Sequence, residues 1–300
     1  MVKIPKVSIV ITAWDESEAT KECIKRFLEQ DKLPIFEMFV VCPDKETKKV
    51  VLDYQKKYKQ IYHVHQDRKV GKNEMLIQCM NKAKGEVIIF TDGDIYVSKN
   101  TVKDIVKAFK NPKIGCITGR PISSNPRNTM MGYWSHLLLD AGAHNMRKYR
   151  AKRGEYIECS GYLFAIRNGV IKDMPLDVAE DSIIPAMFID KDYKVGYVSK
   201  ALAAVEFPDN FHDWIRQKTR CAKAHEKIND YVDVPKMKSL GNELFKGAFW
   251  ALDYPRNLKE FVWTLALFPA RAYIWGQYYY QTKIQNSHYG ETWKKIHARK

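Results

Sequence analysis

Asp92 and Asp94 stand one residue apart in Phe90-Thr91-Asp92-Gly93-Asp94-Ile95-Tyr96-Val97, directly after the apolar run Val87-Ile88-Ile89-Phe90. Two carboxylates this close repel unless something cationic lies between them. Mg2+ and Mn2+ bind through one or two carboxylates and complete their shells with water and phosphate oxygens, so even this sparse pair is adequate. Such a cation would offset charge developing on a departing diphosphate. The spelling alone decides nothing, because Asp190-Lys191-Asp192 repeats it in a polar stretch. A second acidic pair, Glu180-Asp181, precedes the apolar run Ile183–Ile189. One of these two can take a proton from an attacking hydroxyl, or Asp181 can simply cap the helix that follows. Gln217 and Arg220 lie three residues apart on one helix face, where the arginine either binds a phosphate or is solvated.

The elements that would position these groups alternate regularly. Val7–Ala13, Phe36–Val41, Ile61–Val64, Glu86–Phe90 and Ile114–Gly119 have strand character. Between them, Glu18–Gln30, Glu46–Tyr58, Lys72–Ala83 and Thr101–Phe109 have helical spacing, with Gly85 predicted as the glycine closing the third helix. Alternation of this kind predicts a mostly parallel sheet covered on both faces, with ligands bound outside the carboxyl ends of its strands. Asp92 and Asp94 lie at such an end, and Asp190 and Asp192 do not. Thr129–Asn145 reads as helical, ahead of the basic stretch Arg147–Arg153. Ile157–Ile166 reads as a strand interrupted at Ser160-Gly161, and 210–227 as a helix.

With 300 residues, 45% of them hydrophobic and 28% charged, the chain is globular and long enough for a core of its own. Fifty basic against 35 acidic residues give a net charge of +15, which implies either a polyanionic partner or a generically basic surface. No P-loop, no glycine fingerprint after the first strand and no H-E-x-x-H occur, so the common nucleotide, redox and zinc-hydrolase signatures are missing. Basic residues are dispersed, and no helix-turn-helix, zinc-finger or RRM signature supports nucleic-acid binding. A nucleotidyltransferase would carry a glycine-rich loop where this chain has Ala13-Trp14-Asp15-Glu16-Ser17. Six scattered cysteines without a C-x-x-C pair predict reduced, buried thiols. With no signal peptide visible, that predicts a cytoplasmic protein.

Five short stretches in order carry a resemblance. Val7–Glu16 is similar to V-S-I-I-I-P-A-Y-N-E, Phe39-Val40-Val41-Cys42-Pro43-Asp44 to a V-V-D-D segment, and Asp92-Gly93-Asp94 to D-x-D. Ala179-Glu180-Asp181 is similar to T-E-D, and Gln217–Cys221 to Q-x-x-R-W. The chain resembles the family 2 glycosyltransferases of the GT-A fold, the group that includes cellulose, chitin and hyaluronan synthases and ceramide glucosyltransferase. That resemblance implies a Rossmann-like, mostly parallel sheet flanked by helices, with a C-terminal aromatic-rich helical segment. It implies a metal-dependent, inverting transfer of one sugar from a nucleoside-diphosphate sugar, UDP first and GDP second, with Mn2+ or Mg2+ as cofactor. Glu16 and Asp44 would contact the nucleotide, with Lys72 nearby. Asp92 would lie near ribose or metal, Asp94 would coordinate the metal, and Asp181 would be the catalytic base. Gly161, Glu180, Gln217 and Arg220 would serve the acceptor and diphosphate.

Thr12, Trp14, Asp15 and Pro43 depart from the family pattern, the first three as packing changes. Cys221 replaces the tryptophan of Q-x-x-R-W, which favours a single-sugar transfer over the alternative, a processive polysaccharide synthase. The expected organisation is a catalytic domain at 1–230, with a nucleotide-binding half (1–120) and an acceptor half (121–230), then a helical segment at 231–300. Phe261–Trp275 is apolar but holds Pro269 and Arg271, and is too short for a membrane span of about 20 residues. Its aromatics and basic residues fit either peripheral membrane contact through 240–280 or a cap packed on the catalytic domain. A glycolipid or saccharide acceptor is expected, and a glycolipid would make use of both tail and charge. The stretch Tyr289–Ile296 is also similar to the closing segment of many such transferases.

Overall fold

Val7–Thr12 is buried at every position, as a strand covered on both faces must be. In the computed structural model it forms β1 of an eight-stranded sheet; the structure describes residues 7–67, 71–235, 237, 247–287 and 289. β2 (Phe36–Cys42) and β4 (Val87–Asp92) flank β1 in parallel, and β3 (Ile61–His65) extends the sheet in parallel beyond β2. β7 (Leu163–Arg167) runs antiparallel between β4 and β6 (Ile114–Ser123). β8 (Lys194–Val205) lies parallel to β6, and the two-residue β5 (Tyr96–Val97) closes the far edge antiparallel to it.

Alternation along β1 sorts its side chains into two cores. Val7, Ile9 and Ile11 join Phe27 of α1 (Ser17–Leu28), Val51 of α2 (Lys45–Lys57) and Ile105 of α4 (Thr101–Ala108). Val10 faces the other way, towards Leu76 and Met80 of α3 (Lys72–Lys82) and Ile184 of α7 (Glu180–Asp190). The sheet is therefore covered by helices on both faces, as the alternation predicts.

A third cluster joins the rest of the chain to this body. α5 (Met130–Leu137), a π-helical stretch (Leu138–His144) and α6 (Asn145–Arg153) run on continuously, extending past the predicted end at residue 145. α8 (Phe211–Lys223) starts at Asn210, whose side chain accepts from the Asp213 N–H. After α9 (Ile228–Tyr231) and α10 (Ala248–Leu252), α11 (Leu258–Tyr279) packs on α5 and α8. The Trp134 and Trp214 rings lie 5.1 Å apart, and Trp134 Nε1 donates to the Trp263 carbonyl at 2.7 Å. Arg127 forks onto both oxygens of Glu260 at 2.8 and 2.9 Å and lies 4.5 Å over the Tyr254 ring. Along its solvent side, α11 exposes Leu258, Val262, Leu265 and Tyr273. Among the described residues, no helix is long and apolar enough to cross a membrane.

Three elements differ from expectation. β8 and β5 carry no clear strand signal, and of the predicted 157–166 strand only the part from Leu163 onward is extended into the sheet, as β7. Gly85 does not close α3, which ends through Ala83 in an extended conformation. A Cβ at Gly85 would lie within 2.7 Å of Ser8 atoms, so glycine is required there by close approach of two backbones. Of the similar closing segment, all but Tyr289 lies outside the described residues.

Candidate active site

The parallel registers bring the carboxyl ends of β1 and β4 together, with Thr12 opposite Asp92. The chain then turns at Gly93, whose N–H donates to the Thr12 carbonyl at 2.8 Å. A Cβ on Gly93 would meet the Ala13 Cβ at 2.6 Å and the Thr20 hydroxyl at 2.8 Å, so the residue between the two aspartates must be glycine. Asp92 Oδ1 accepts from the Thr12 hydroxyl at 2.9 Å and from Lys72 Nζ at 2.7 Å. The same ammonium reaches Glu180 Oε1 at 2.7 Å, so one cation bridges the two acidic motifs. Burial alone would lower the Lys72 pKa, but the charges of Asp92 and Glu180 outweigh it and hold the ammonium raised.

Lys72 acts on Asp94 only through its charge, which lowers that carboxyl less than its surroundings raise it. Burial, and then the charge on Asp92, push its carboxyl up to about 6. Both aspartates are hard oxygen donors, and a cation beside them would relieve that strain on the ionised form. Among the described residues, no cluster of three or more His, Cys, Asp and Glu side chains could hold a metal by itself. The pair fits a divalent cation that takes its remaining ligands from phosphate and water.

Asp181 does not cap its helix. The cap position is Ala179, and Asp181 sits in the first turn with its side chain turned to the preceding loop. Gly161 N–H donates to Asp181 Oδ2 at 3.0 Å. Pro185, four residues on, has no N–H to offer the Asp181 carbonyl, which instead accepts from Cys159 N–H at 3.1 Å. The proline in the helix thus leaves a carbonyl that fastens the 159–161 loop beside the carboxylate. Arg147 fastens the same loop from behind, donating to the carbonyls of Glu158 and Cys159 at 3.2 and 3.1 Å.

These groups line one cavity of about 1130 Å3, larger than an ordinary small-molecule site and roomy enough for a donor and an acceptor. Glu16, Lys72, Asp92, Asp94, Gly161, Glu180, Asp181, Gln217 and Arg220 all border it. Asp44 does not: it caps α2 through the Thr47 N–H at 2.8 Å and accepts from the Asp15 N–H at 2.9 Å. That contact holds Asp15 at φ 57°, a left-handed conformation aspartate tolerates. Gln217 Oε1 is buried with no hydrogen-bond partner among the described residues, and Arg220 is exposed at the rim. Asp190 and Asp192 lie elsewhere, at the end of α7 and in the turn after it. Leu138, Met146, Ala251, Leu267 and Phe268 make one side of the cavity apolar.

Four further cavity residues were not among the site residues named from the sequence. Trp14, which departs from the family pattern, borders the cavity beside Glu16. Arg147, like Arg150, is buried, although the basic stretch reads only as charge; their spacing of three on a helix was the available clue. Tyr289 reaches the cavity from the far end of the chain, and burial holds its phenol raised. His225 is buried behind Asp181. All six cysteines are thiols, five of them buried, as expected.

A family model described as glycosyltransferase like family 2 matches residues 5–224. The chain is 22% identical over 243 residues to an N-acetylglucosaminyltransferase of Bradyrhizobium diazoefficiens, covering 74% of this chain and 49% of that protein. It is 22% identical over 242 residues to an N-acetylglucosaminyltransferase of Azorhizobium caulinodans, covering 73% and 59%. The chain thus spans about half the length of the curated relatives it matches. Among solved structures, the mannosyltransferase PcManGT from Pyrobaculum calidifontis, in complex with GDP-Man and Mn2+, aligns over 94% of this chain and 82% of its own, with TM-score 0.64 and 19% identity. Residues 1–349 of S. aureus TarS align over 95% of this chain and 93% of their own, with TM-score 0.51 and 16% identity. At these identities the two structures share a fold with the chain.

Proposed function

The chain belongs to the glycosyltransferase-like family 2, and from that premise we propose that it moves a single sugar from a nucleoside-diphosphate sugar to an acceptor hydroxyl, with inversion and with a divalent cation. The observation that carries this reading is the shared cavity. The acidic turn at Asp92–Asp94 and the fastened carboxylate of Asp181 border the same space. The acceptor oxygen bonds to the anomeric carbon on the face opposite the diphosphate. The bond from that carbon to the diphosphate oxygen breaks, its electron pair leaves with the diphosphate, and the hydroxyl proton passes to Asp181. Gly161 N–H keeps the accepting carboxylate aimed. Lys72 ties Asp92 to Glu180 through one ammonium, Glu16 and Trp14 border the nucleotide side, and Gln217 and Arg220 bind the diphosphate or acceptor. Asp44 acts on the nucleotide side through the Asp15 backbone. A bound Mn2+ or Mg2+, held by Asp92 and Asp94, would take up charge developing on the leaving diphosphate.

We assign residues 1–230 to the catalytic domain, with a donor half at 1–120 and an acceptor half at 121–230, and 231–300 to a C-terminal segment whose described helices pack on it and offer a surface to a membrane interface. UDP is the first choice of nucleotide. GDP is the second, supported by the structural neighbour that binds GDP-Man and Mn2+. The names of the relatives make N-acetylglucosamine the sugar to try first. The apolar side of the cavity and the exposed apolar stripe of α11 support a glycolipid acceptor presented at a membrane surface, which the +15 net charge would favour if anionic. The deciding experiment is thermal unfolding with UDP, GDP, CMP or ADP, each in Mn2+, Mg2+ or EDTA. One nucleoside diphosphate should raise Tm, and EDTA should remove the effect. A panel with no shift at millimolar nucleotide overturns the donor site.

A further inference from the structure

Behind Asp181 lies a row of buried polar groups that the mechanism above does not use. Ser182 is fully buried, His225 is 7% exposed and Glu158 is 2% exposed. Ser182 Oγ lies 2.6 Å from His225 Nδ1, and Glu158 Oε2 lies 3.4 Å from the same nitrogen. Ser182 Oγ also reaches Asp181 Oδ1 at 3.4 Å. Met237 N–H donates to the other Glu158 oxygen at 3.3 Å. Burying a histidine, a glutamate and a serine in contact is unfavourable unless their hydrogen bonds are arranged to satisfy one another.

We propose that Glu158, His225 and Ser182 form a chain that positions Asp181, with His225 deciding whether the Ser182 hydroxyl can donate to the Asp181 carboxylate. The proposal rests on the reading of Asp181 as the base. Its logic is a count of protons. If His225 Nδ1 carries hydrogen, it donates to Ser182 Oγ, and the serine proton is left for Asp181 Oδ1. If Nδ1 is bare, the serine proton turns to the ring and Asp181 loses that donor. The Glu158 charge beside the ring favours a proton on Nδ1. With Ser182 on Oδ1 and Gly161 N–H on Oδ2, both oxygens are held from the protein side, and the carboxylate faces the acceptor in one orientation. Small misplacements of a catalytic group cost up to about 100-fold in rate. His225 is therefore a positioning residue.

Other ionisable groups act on Asp181 and must be kept constant. Glu180 lies on its own helix, Tyr156 and Cys159 face it from the loop, and Arg220 and Tyr289 border the same space, with Lys72 acting through Glu180. The test leaves all of them in place. The Asp181 carboxyl, identified by loss of its signal in Asp181→Asn, is titrated by carbon-13 NMR in the whole chain. Turnover is followed in parallel as nucleotide release from UDP-N-acetylglucosamine or GDP-mannose, with water as acceptor. Removing a donor from a carboxylate raises its pKa. In Ser182→Ala and His225→Phe the Asp181 titration and the acid limb of turnover should both move to higher pH. Turnover should fall roughly ten-fold, with nucleotide affinity unchanged. His225→Asn, whose amide can donate from the Nδ1 position, should restore both.

The idea is overturned if the titration stays put in Ser182→Ala and His225→Phe while Asp181→Asn abolishes turnover. It is also overturned if His225→Asn behaves like His225→Phe, or if all variants lose nucleotide affinity together, which is the mark of a merely structural role. Should Asp181→Asn keep turnover, the base assignment fails instead, and the NMR titration still reports whether the chain couples to Asp181.

Discussion

Replacing Lys72 with methionine removes the cation that joins the two acidic motifs while keeping most of the side-chain volume. Lys72 Nζ is 2.7 Å from both Asp92 and Glu180, and the three side chains are 20%, 28% and 5% exposed. Removing one member of a buried ion pair costs about 3–5 kcal/mol, because its partner is left charged in a poor solvent. Asp92 is partly hydrated, so the lower end applies, about 3 kcal/mol. At roughly 2–4 °C per kcal/mol for a large chain, Tm should fall by about 6–12 °C at pH 8. The pH dependence has a definite sign. Burial already raises the Glu180 carboxyl, against the lowering effect of Lys72, and losing Lys72 raises it further. An acid whose folded pKa lies above its unfolded value destabilises the fold when ionised. The deficit is therefore full above the folded pKa and fades as the pH falls to the unfolded value of about 4.3. Thermal unfolding of wild type, Lys72→Met and Lys72→Met/Glu180→Gln at pH 5 and pH 8 checks this. The double variant should recover at least half of the loss at pH 8. A single variant melting within about 2 °C of wild type at pH 8, or a double variant no better than the single, would refute the reasoning.

Asp94→Ala should abolish the difference in nucleotide binding between Mn2+ and EDTA, read by calorimetry; affinity that still depends on the metal would remove Asp94 from the cation site. Asp181→Asn should leave nucleotide affinity intact while transfer falls by roughly two orders of magnitude or more, measured as sugar turnover. Glu260→Ala should strand Arg127 and destabilise the chain by about 3 kcal/mol, with faster protease cleavage between α10 and α11 as the direct sign that the C-terminal helix has lost its clamp. Burial holds the Cys159 thiol well above its ordinary pKa, and Cys116 lies 3.3 Å from it. Neither should react with a thiol reagent until the protein unfolds, whereas half-buried Cys221 should react first.

Much of the N-terminal part of the sheet was legible because its strands are buried on both faces and so read as unbroken apolar runs. β1, β2 and β4 carry their signal residue by residue, and the acidic turn follows the last of them. β8 was not legible: Lys194–Val205 has charged and small residues and is only partly buried, so no period stands out. Its strand state comes from pairing with β6, a long-range effect. Asp44, Asp92, Asp94, Asp181, Gln217 and Arg220 could be named from motif order, but what each touches could not. Nothing local says that Lys72 answers both Asp92 and Glu180, because those groups meet only when α3 and α7 pack on the same face. Pro185 is the instructive residue. In the chain it looks like a flaw in the helix, whereas in the fold its missing N–H is what lets the Asp181 carbonyl take hold of the loop.

The insertion of β7 between β4 and β6 has a consequence for synthesis. The acidic turn lies between β4, whose outer neighbour is β7, and β5, whose only neighbour among the described residues is β8. Thr91 pairs with Leu163 and Tyr96 with Ala204, so both ends of the turn are pinned by stretches translated later. At about 5–20 residues per second, a ribosome that has made β5 needs roughly 5–20 s more to deliver the end of β8. Until β7 arrives within that interval, β4 is a hydrophobic strand with one open edge, the kind of surface that invites aggregation. The acidic turn is thus fixed early on the β1 side, by the Gly93 N–H on the Thr12 carbonyl, and is held from its other side only once β7 and β8 have been made.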